Sequence, residues 1–418
     1  MPRWLKLTLM IGGGSIILVV GAIFALAWLA FKLRPDPARN AAPAEASAVG
    51  PAVIGAQDLG ALLETIRVDA KVPALAAVVL RGDQIVAAGV TGVREAGRPE
   101  RVTINDQFHL GSDTKAVTAT LIARLVEKGK LRWDTTIGDV FGPTVSPLDP
   151  AWRAVTLTQL LHHRAGVPAD LSADGLWGRL WKQNGTPVEQ RMELVRGVLA
   201  RPPVNTPGTQ YLYSNAGYSL AGAMAETVMH RSWEDLIQAE VFEPLGMKTA
   251  GIGPPGTPVS HDQPRAHDFL GRAVQPGPGA DNPAAIAPAG MVHVSLPDWA
   301  KFVALHLRGD TANPHRQVAL LSADSFDFLH RPADGAGMRY ACGWGVAEAP
   351  WAKGDGAGAR GMLLSHDGSN TMWYCSALLV PERDCAILVV CNQGGAHATK
   401  ACHAAQLALR QQFLPSAR

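Results

Sequence analysis

Charge is scarce in this 418-residue chain: Lys, Arg, Asp and Glu make up 18% of it and the formal net charge is only +2. Without a basic field no surface can follow a phosphate backbone, which excludes nucleic acid as a partner. Cysteine is scarce as well. The five cysteines all lie from Cys342 onward, with no C-x-x-C and no His pair at metal-ligand spacing, so a zinc site is not indicated. An odd and scattered set is no disulfide framework, although Cys375 and Cys391 are spaced to face each other across a hairpin. No serine sits in G-x-S-x-G, which removes the signature of an α/β-hydrolase lipase.

Apolar residues, by contrast, make up 47% of the chain, enough for a sizeable core. The 25 residues between Lys6 and Lys32 carry no charge. As a helix rising 1.5 Å per residue they would cross the ~30 Å hydrocarbon layer, so residues 1–34 are expected to form a transmembrane anchor. A cleaved signal peptide is the competing reading, with an A-x-A site at Ala46–Ala48, but the apolar run is longer than a signal core of about 7 to 15 residues. Arg3 and Lys6 nearly balance Lys32, Arg34 and Arg39, so charge alone does not orient the span. Residues 35–57, rich in Ala and Pro, read as an extended tether.

The globular part is expected over residues 58–413. Leu59, Leu62, Leu63 and Ile66 recur at helical spacing, and apolar runs at 75–80 and 85–90 flank Gly82-Asp83, giving a helix and then a hairpin. The far end mirrors this, with runs at 372–380 and 386–391 around Pro381–Asp384 and a helical stretch at 396–413. Helices are expected at 114–129 and 233–242, and the Gly/Pro-rich segment 251–290 reads as a long loop over a site.

The chemistry is carried by Leu110-Gly111-Ser112-Asp113-Thr114-Lys115, which opens a helical run. Ser112 and Lys115 are three apart and share a helix face, and a lysine near a helix N-terminus is biased toward its neutral, basic form. A serine hydroxyl needs such a base to become a nucleophile. Alone, the tetrapeptide fits equally an N-capping Ser112 and a solvated Lys115. Two further segments add weight: Tyr213-Ser214-Asn215 after a turn, and His366-Asp367-Gly368-Ser369 before a strand.

In this order and separation, S-D-T-K, Y-S-N and H-D-G resemble the serine β-lactamase-like family, which includes class C β-lactamases, D-alanyl-D-alanine carboxypeptidases, D-aminopeptidases and family VIII carboxylesterases. The resemblance spans roughly residues 58–413. It implies an α/β fold of the α+β type, a mainly antiparallel sheet flanked by helices with an inserted helical domain and the site at the junction. It further implies Ser112 as the acylated nucleophile, Lys115 as proton acceptor and Tyr213 as partner base. Asn215 would bind substrate or hold Lys115, while His366, Gly368 and Ser369 would line the substrate side. The N–H groups of Ser112 and Ser369 would form the oxyanion hole. Neither metal nor cofactor is expected.

The implied reaction is hydrolysis of a small ester, a D-amino-acid peptide or a β-lactam, at an inner membrane with the catalytic domain in the periplasm. The alternative is a non-catalytic envelope binding protein. His366 stands where lysine-bearing members place a permanent cation, so its charge is expected to change near pH 6.5, favouring esterase or peptidase work over a true β-lactamase. Leu161-His162-His163-Arg164-Ala165-Gly166 departs from the family's more frequent Thr-His-Thr-Ser-Gly, and His163 reads as structural.

Overall fold

The structure is a computed structural model that describes residues 53–172, 175–335, 337–356 and 358–415. The expected anchor, residues 1–34, lies outside the described residues, as does most of the tether. Among the described residues no helix is long and apolar enough to cross a membrane.

Eight strands form the main sheet: β1 (Gln57–Asp58), β2 (Ala74–Arg81), β3 (Gln84–Gly92), β4 (Tyr340–Ala341), β5 (Trp344–Glu348), β6 (Met362–Ser369), β7 (Tyr374–Val380) and β8 (Cys385–Cys391). Their order is β1-β3-β2-β8-β7-β6-β5-β4, so the two ends of the chain meet at the β2–β8 pair. Every pairing is antiparallel except β1 with β3. Both central strands are apolar, save Arg81 at the end of β2, because they are covered on both faces, β8 being buried at every position. The two expected hairpins form, turning at Gly82, with φ +59°, and at Asp384, with φ +46°.

One face is covered by helix α1 (Gly60–Ala70) and the C-terminal helix (Gly395–Phe413), which bury Leu63, Ala70, Ala401, Cys402, Ala405 and Leu409. The other face meets the inserted helices, among them α2 (Thr114–Glu127) and α3 (Asn215–Met229), in a core that also holds Val78, Leu388 and Trp344. The helical half is therefore an insertion that shares the sheet's core, and the described residues form one compact unit.

Three expectations are corrected. Cys375 pairs in register with Val390, and Cys391 with Tyr374. The two cysteines are thus offset by one residue and point to opposite faces, Cys375 into the core beside α2 and Cys391 toward the C-terminal helix. All five thiols are free and buried. The helix expected at 233–242 runs only over Trp233–Ile237 before its last turn widens into a π-helical segment at Gln238–Phe242. The long loop at 251–290 is not structureless, since it carries short strands at Gly251–Ile252, Ala266–His267 and Ala273–Val274.

Candidate active site

Ser112 lies in a single 3-10 turn, Gly111–Asp113, that leads into α2. The first turn of a helix has no carbonyl to receive its N–H groups, so the Ser112 N–H faces outward as a donor. This turn abuts the end of β6 at van der Waals distance. A Cβ on Gly111, whose φ is +47°, would lie 2.3 Å from the Ser369 nitrogen, and one on Gly368 would lie 1.9 Å from the Leu110 oxygen. Gly368 is therefore required for close packing. The Ser369 hydroxyl is committed to its own turn, donating to the Trp373 carbonyl at 2.7 Å and accepting from the Thr371 N–H at 3.0 Å.

Lys115 is wholly buried, and its Nζ meets three oxygens: Ser112 Oγ at 3.0 Å, Asn215 Oδ1 at 2.8 Å and the Ala289 carbonyl at 2.8 Å. Burial pushes its pKa well below the usual lysine value. The one nearby carboxyl does not restore the charge. Asp113, itself buried, is pushed well above the carboxylate range by burial, and its Oδ2 sits 3.0 Å from the Cys375 thiol. A neutral amine has two hydrogens and one lone pair. Two of the three neighbours are carbonyl oxygens that can only accept, so the hydrogens go to Asn215 and Ala289 and the lone pair faces the Ser112 hydroxyl. Such an arrangement can take the serine proton.

Tyr213 comes from the segment before α3 and lies beside Ser112 and Lys115. Its ring lies 4.7 Å from Nζ, and burial raises its pKa, so it stays a protonated phenol at neutral pH. Its position depends on His163. That residue accepts the Ser214 N–H on Nδ1 at 3.2 Å and packs its ring 4.3 Å from the Tyr213 ring, and burial holds it neutral. The reading of His163 as structural agrees with this geometry.

His366 forms the far wall. Its Nδ1 donates to the Asp367 carbonyl at 2.8 Å, which leaves Nε2 to accept from the Tyr340 hydroxyl at 3.2 Å. The ring packs against Tyr340 and Tyr213, with centroids 5.8 Å and 6.4 Å away. Burial, and then the neighbouring Lys115, lower its pKa to about 4. The expected change of charge near 6.5 is thereby corrected: at neutral pH this residue is an uncharged acceptor. Sequence reasoning passed over Tyr340 and, although segment 287–290 resembles a family landmark, gave Ala289 no role; only the folded chain brings Tyr340 to His366 and the Ala289 carbonyl to Lys115.

The site is thus a nucleophile turn packed on the end of the inner strand β6, with a lysine and a tyrosine beside its serine. The family model described as Beta-lactamase matches residues 59–411. The chain belongs to this family. Penicillin-binding protein 4 of Amycolatopsis lactamdurans is 30% identical over 341 residues, covering 79% of this chain and 84% of that protein. A putative D-alanyl-D-alanine carboxypeptidase of Escherichia coli O157:H7 is 27% identical over 202 residues, 45% of each chain. Among solved structures, an octameric penicillin-binding protein homologue from Pyrococcus abyssi superposes with a TM-score of 0.66 at 24% identity, covering 85% of this chain and 78% of that one. A D-stereospecific amidohydrolase from a Streptomyces species gives 0.63 at 19% identity, covering 85% and 99%. The last two show the fold. Family and relatives together make this β-lactamase-family chain a serine hydrolase of the penicillin-binding-protein type.

Proposed function

We propose that this family member hydrolyses uncharged esters or amides through an acyl-Ser112 intermediate. The observation that carries the proposal is the buried Lys115 amine, whose two carbonyl partners leave only its lone pair for Ser112 Oγ. In this reading Ser112 Oγ attacks the substrate carbonyl carbon as its proton passes to Lys115. The oxygen of the tetrahedral adduct takes hydrogen bonds from the N–H groups of Ser112 and Ser369, each worth about 3 to 4 kcal/mol in comparable sites. As the adduct collapses, the leaving group takes a proton through Tyr213, and water then releases the acid by the reverse path. Residues 1–34 are proposed to anchor the enzyme to the inner membrane with this domain in the periplasm.

The preference for uncharged substrates rests on the charge state of the cleft. Lys115, His163 and His366 are all driven toward neutrality by burial, so none of them offers a fixed cation to a substrate carboxylate at neutral pH. The ratio of kcat/KM for an anionic D-alanyl peptide to that for a p-nitrophenyl ester is therefore expected to stay flat from pH 5.5 to 8. Because the folded pKa of His366 is about 4, its cationic form gains weight only as pH falls toward that value. An inflection in that ratio near pH 6.5 would show a solvated, substrate-facing histidine and sink the neutral-substrate preference.

Removing residues 1–50 is expected to give a soluble protein with unchanged specific activity, since the family match begins at residue 59. Ultracentrifugation of membranes from cells making either form, with esterase assays on pellet and supernatant, checks this. Insoluble or inactive truncated protein would show that the segment contributes to folding.

A further inference from the structure

His109, Asp281 and Asn370 are polar, only 1%, 2% and 4% exposed, and none faces Lys115. They form one chain of hydrogen bonds. His109 ends the short strand Gln107–His109, and its Nδ1 accepts the N–H of Gly111 at 3.0 Å. The ring hydrogen therefore sits on Nε2, which donates to Asp281 Oδ2 at 2.7 Å. Asp281 is delivered by the Gly/Pro-rich loop, and its Oδ1 accepts from Asn370 Nδ2 at 3.0 Å and from the Asn282 N–H at 2.8 Å. Asn370 Oδ1 in turn accepts the N–H groups of Met372 and Trp373, each at 3.1 Å.

The two ends of this chain fall beside the two oxyanion donors. Gly111 directly precedes Ser112, and Asn370 directly follows Ser369. Contact between Gly111 and Ser369 sets the closest approach of the two segments but exerts no directional pull. We infer that His109, Asp281 and Asn370 are positioning residues, a buried clamp that fixes the separation and aim of the Ser112 and Ser369 N–H groups. This rests on the acyl-Ser112 reading. Donors aimed at a developing oxyanion act only within a few tenths of an ångström of their optimum, and a misplacement of ~1 Å can cost about a hundredfold in rate. Substrate binding, which does not use the oxyanion, should be far less sensitive.

The test separates the clamp from the local turn. In His109→Asn the side-chain oxygen can still accept the N–H two residues on, as in an Asx turn, but no longer reaches Asp281. Expected is a fall in kcat of about thirtyfold or more on a p-nitrophenyl ester, with KM changed less than about twofold. Asn370→Asp sets two carboxyl groups against each other and Asp281→Asn sets two amide donors against each other. The double exchange restores one acceptor facing one donor and should recover at least about tenfold of either single loss. A merely structural set would lower the melting temperature and the folded yield without this split between kcat and KM. Wild-type kcat in His109→Asn, or a double exchange no better than the singles, would overturn the clamp. Ester turnover that survives Ser112→Ala would instead sink the acyl-Ser112 reading, whereas Ser112-dependent turnover indifferent to all of these variants sinks the clamp alone.

Discussion

Ser112→Ala is expected to abolish ester turnover, a loss on the order of ten-thousand-fold or more, while leaving the melting temperature within about 2 °C of wild type. The two halves of this expectation have separate causes. The hydroxyl is the atom that forms the acyl bond, and no other group in the cleft can replace it: Lys115 is buried with its hydrogens engaged, and Tyr213 is held protonated by burial. Stability should hardly change because Ser112 is partly exposed and the turn is built from backbone bonds, such as the Asp113 N–H to the Leu110 carbonyl at 3.1 Å. Losing the hydroxyl also frees the Lys115 lone pair without stranding a buried donor. A fluorophosphonate probe, followed by peptide mapping, should mark Ser112 in the wild type and nothing in the variant. Near wild-type hydrolysis by the alanine variant would falsify the nucleophile assignment.

Much of this architecture is legible in the sequence, and the reason is local. The hairpins at 74–92 and 374–391 announce themselves because each consists of two apolar runs around residues suited to tight turns, and α2 begins where its motif begins. Register is less legible. A single-residue offset separates Cys375 from the partner of Cys391, and it is set by the pairing that the turn between β7 and β8 imposes. The nucleophile, its lysine and its tyrosine lie in short recognisable strings, but what sets their chemistry does not. His109 meets Asp281 across 172 residues, and Lys115 finds the Ala289 carbonyl across 174. The charge of His366 likewise depends on burial by Tyr340 and Tyr213, which no window around His366 contains. Motifs thus name the reacting atoms, and long-range packing decides their protonation.

Lys115→Met and Tyr213→Phe are each expected to slow acylation by about a thousandfold, and the double variant by little more than either single. The Lys115 amine touches Ser112 Oγ at 3.0 Å and lies 4.7 Å from the Tyr213 ring, so the two groups form one proton-transfer unit. Removing either leaves the other without a complete path from serine to leaving group, and the second removal then has little left to destroy. The pH dependence should carry the same signature. Because burial lowers the Lys115 pKa, the reactive free base is present at neutral pH and is lost only as pH falls through that lowered value, so kcat/KM should rise with pH to a plateau reached well below 10.5, the ordinary lysine pKa. Lys115→Met should abolish that acid limb along with most of the rate, whereas Tyr213→Phe should keep the limb at reduced amplitude. Single-turnover acylation by a p-nitrophenyl ester across pH 5 to 9, in the four proteins of the cycle, measures both. Multiplicative losses, or an acid limb that persists without Lys115, would mean that the two groups serve separate steps and that another base accepts the serine proton.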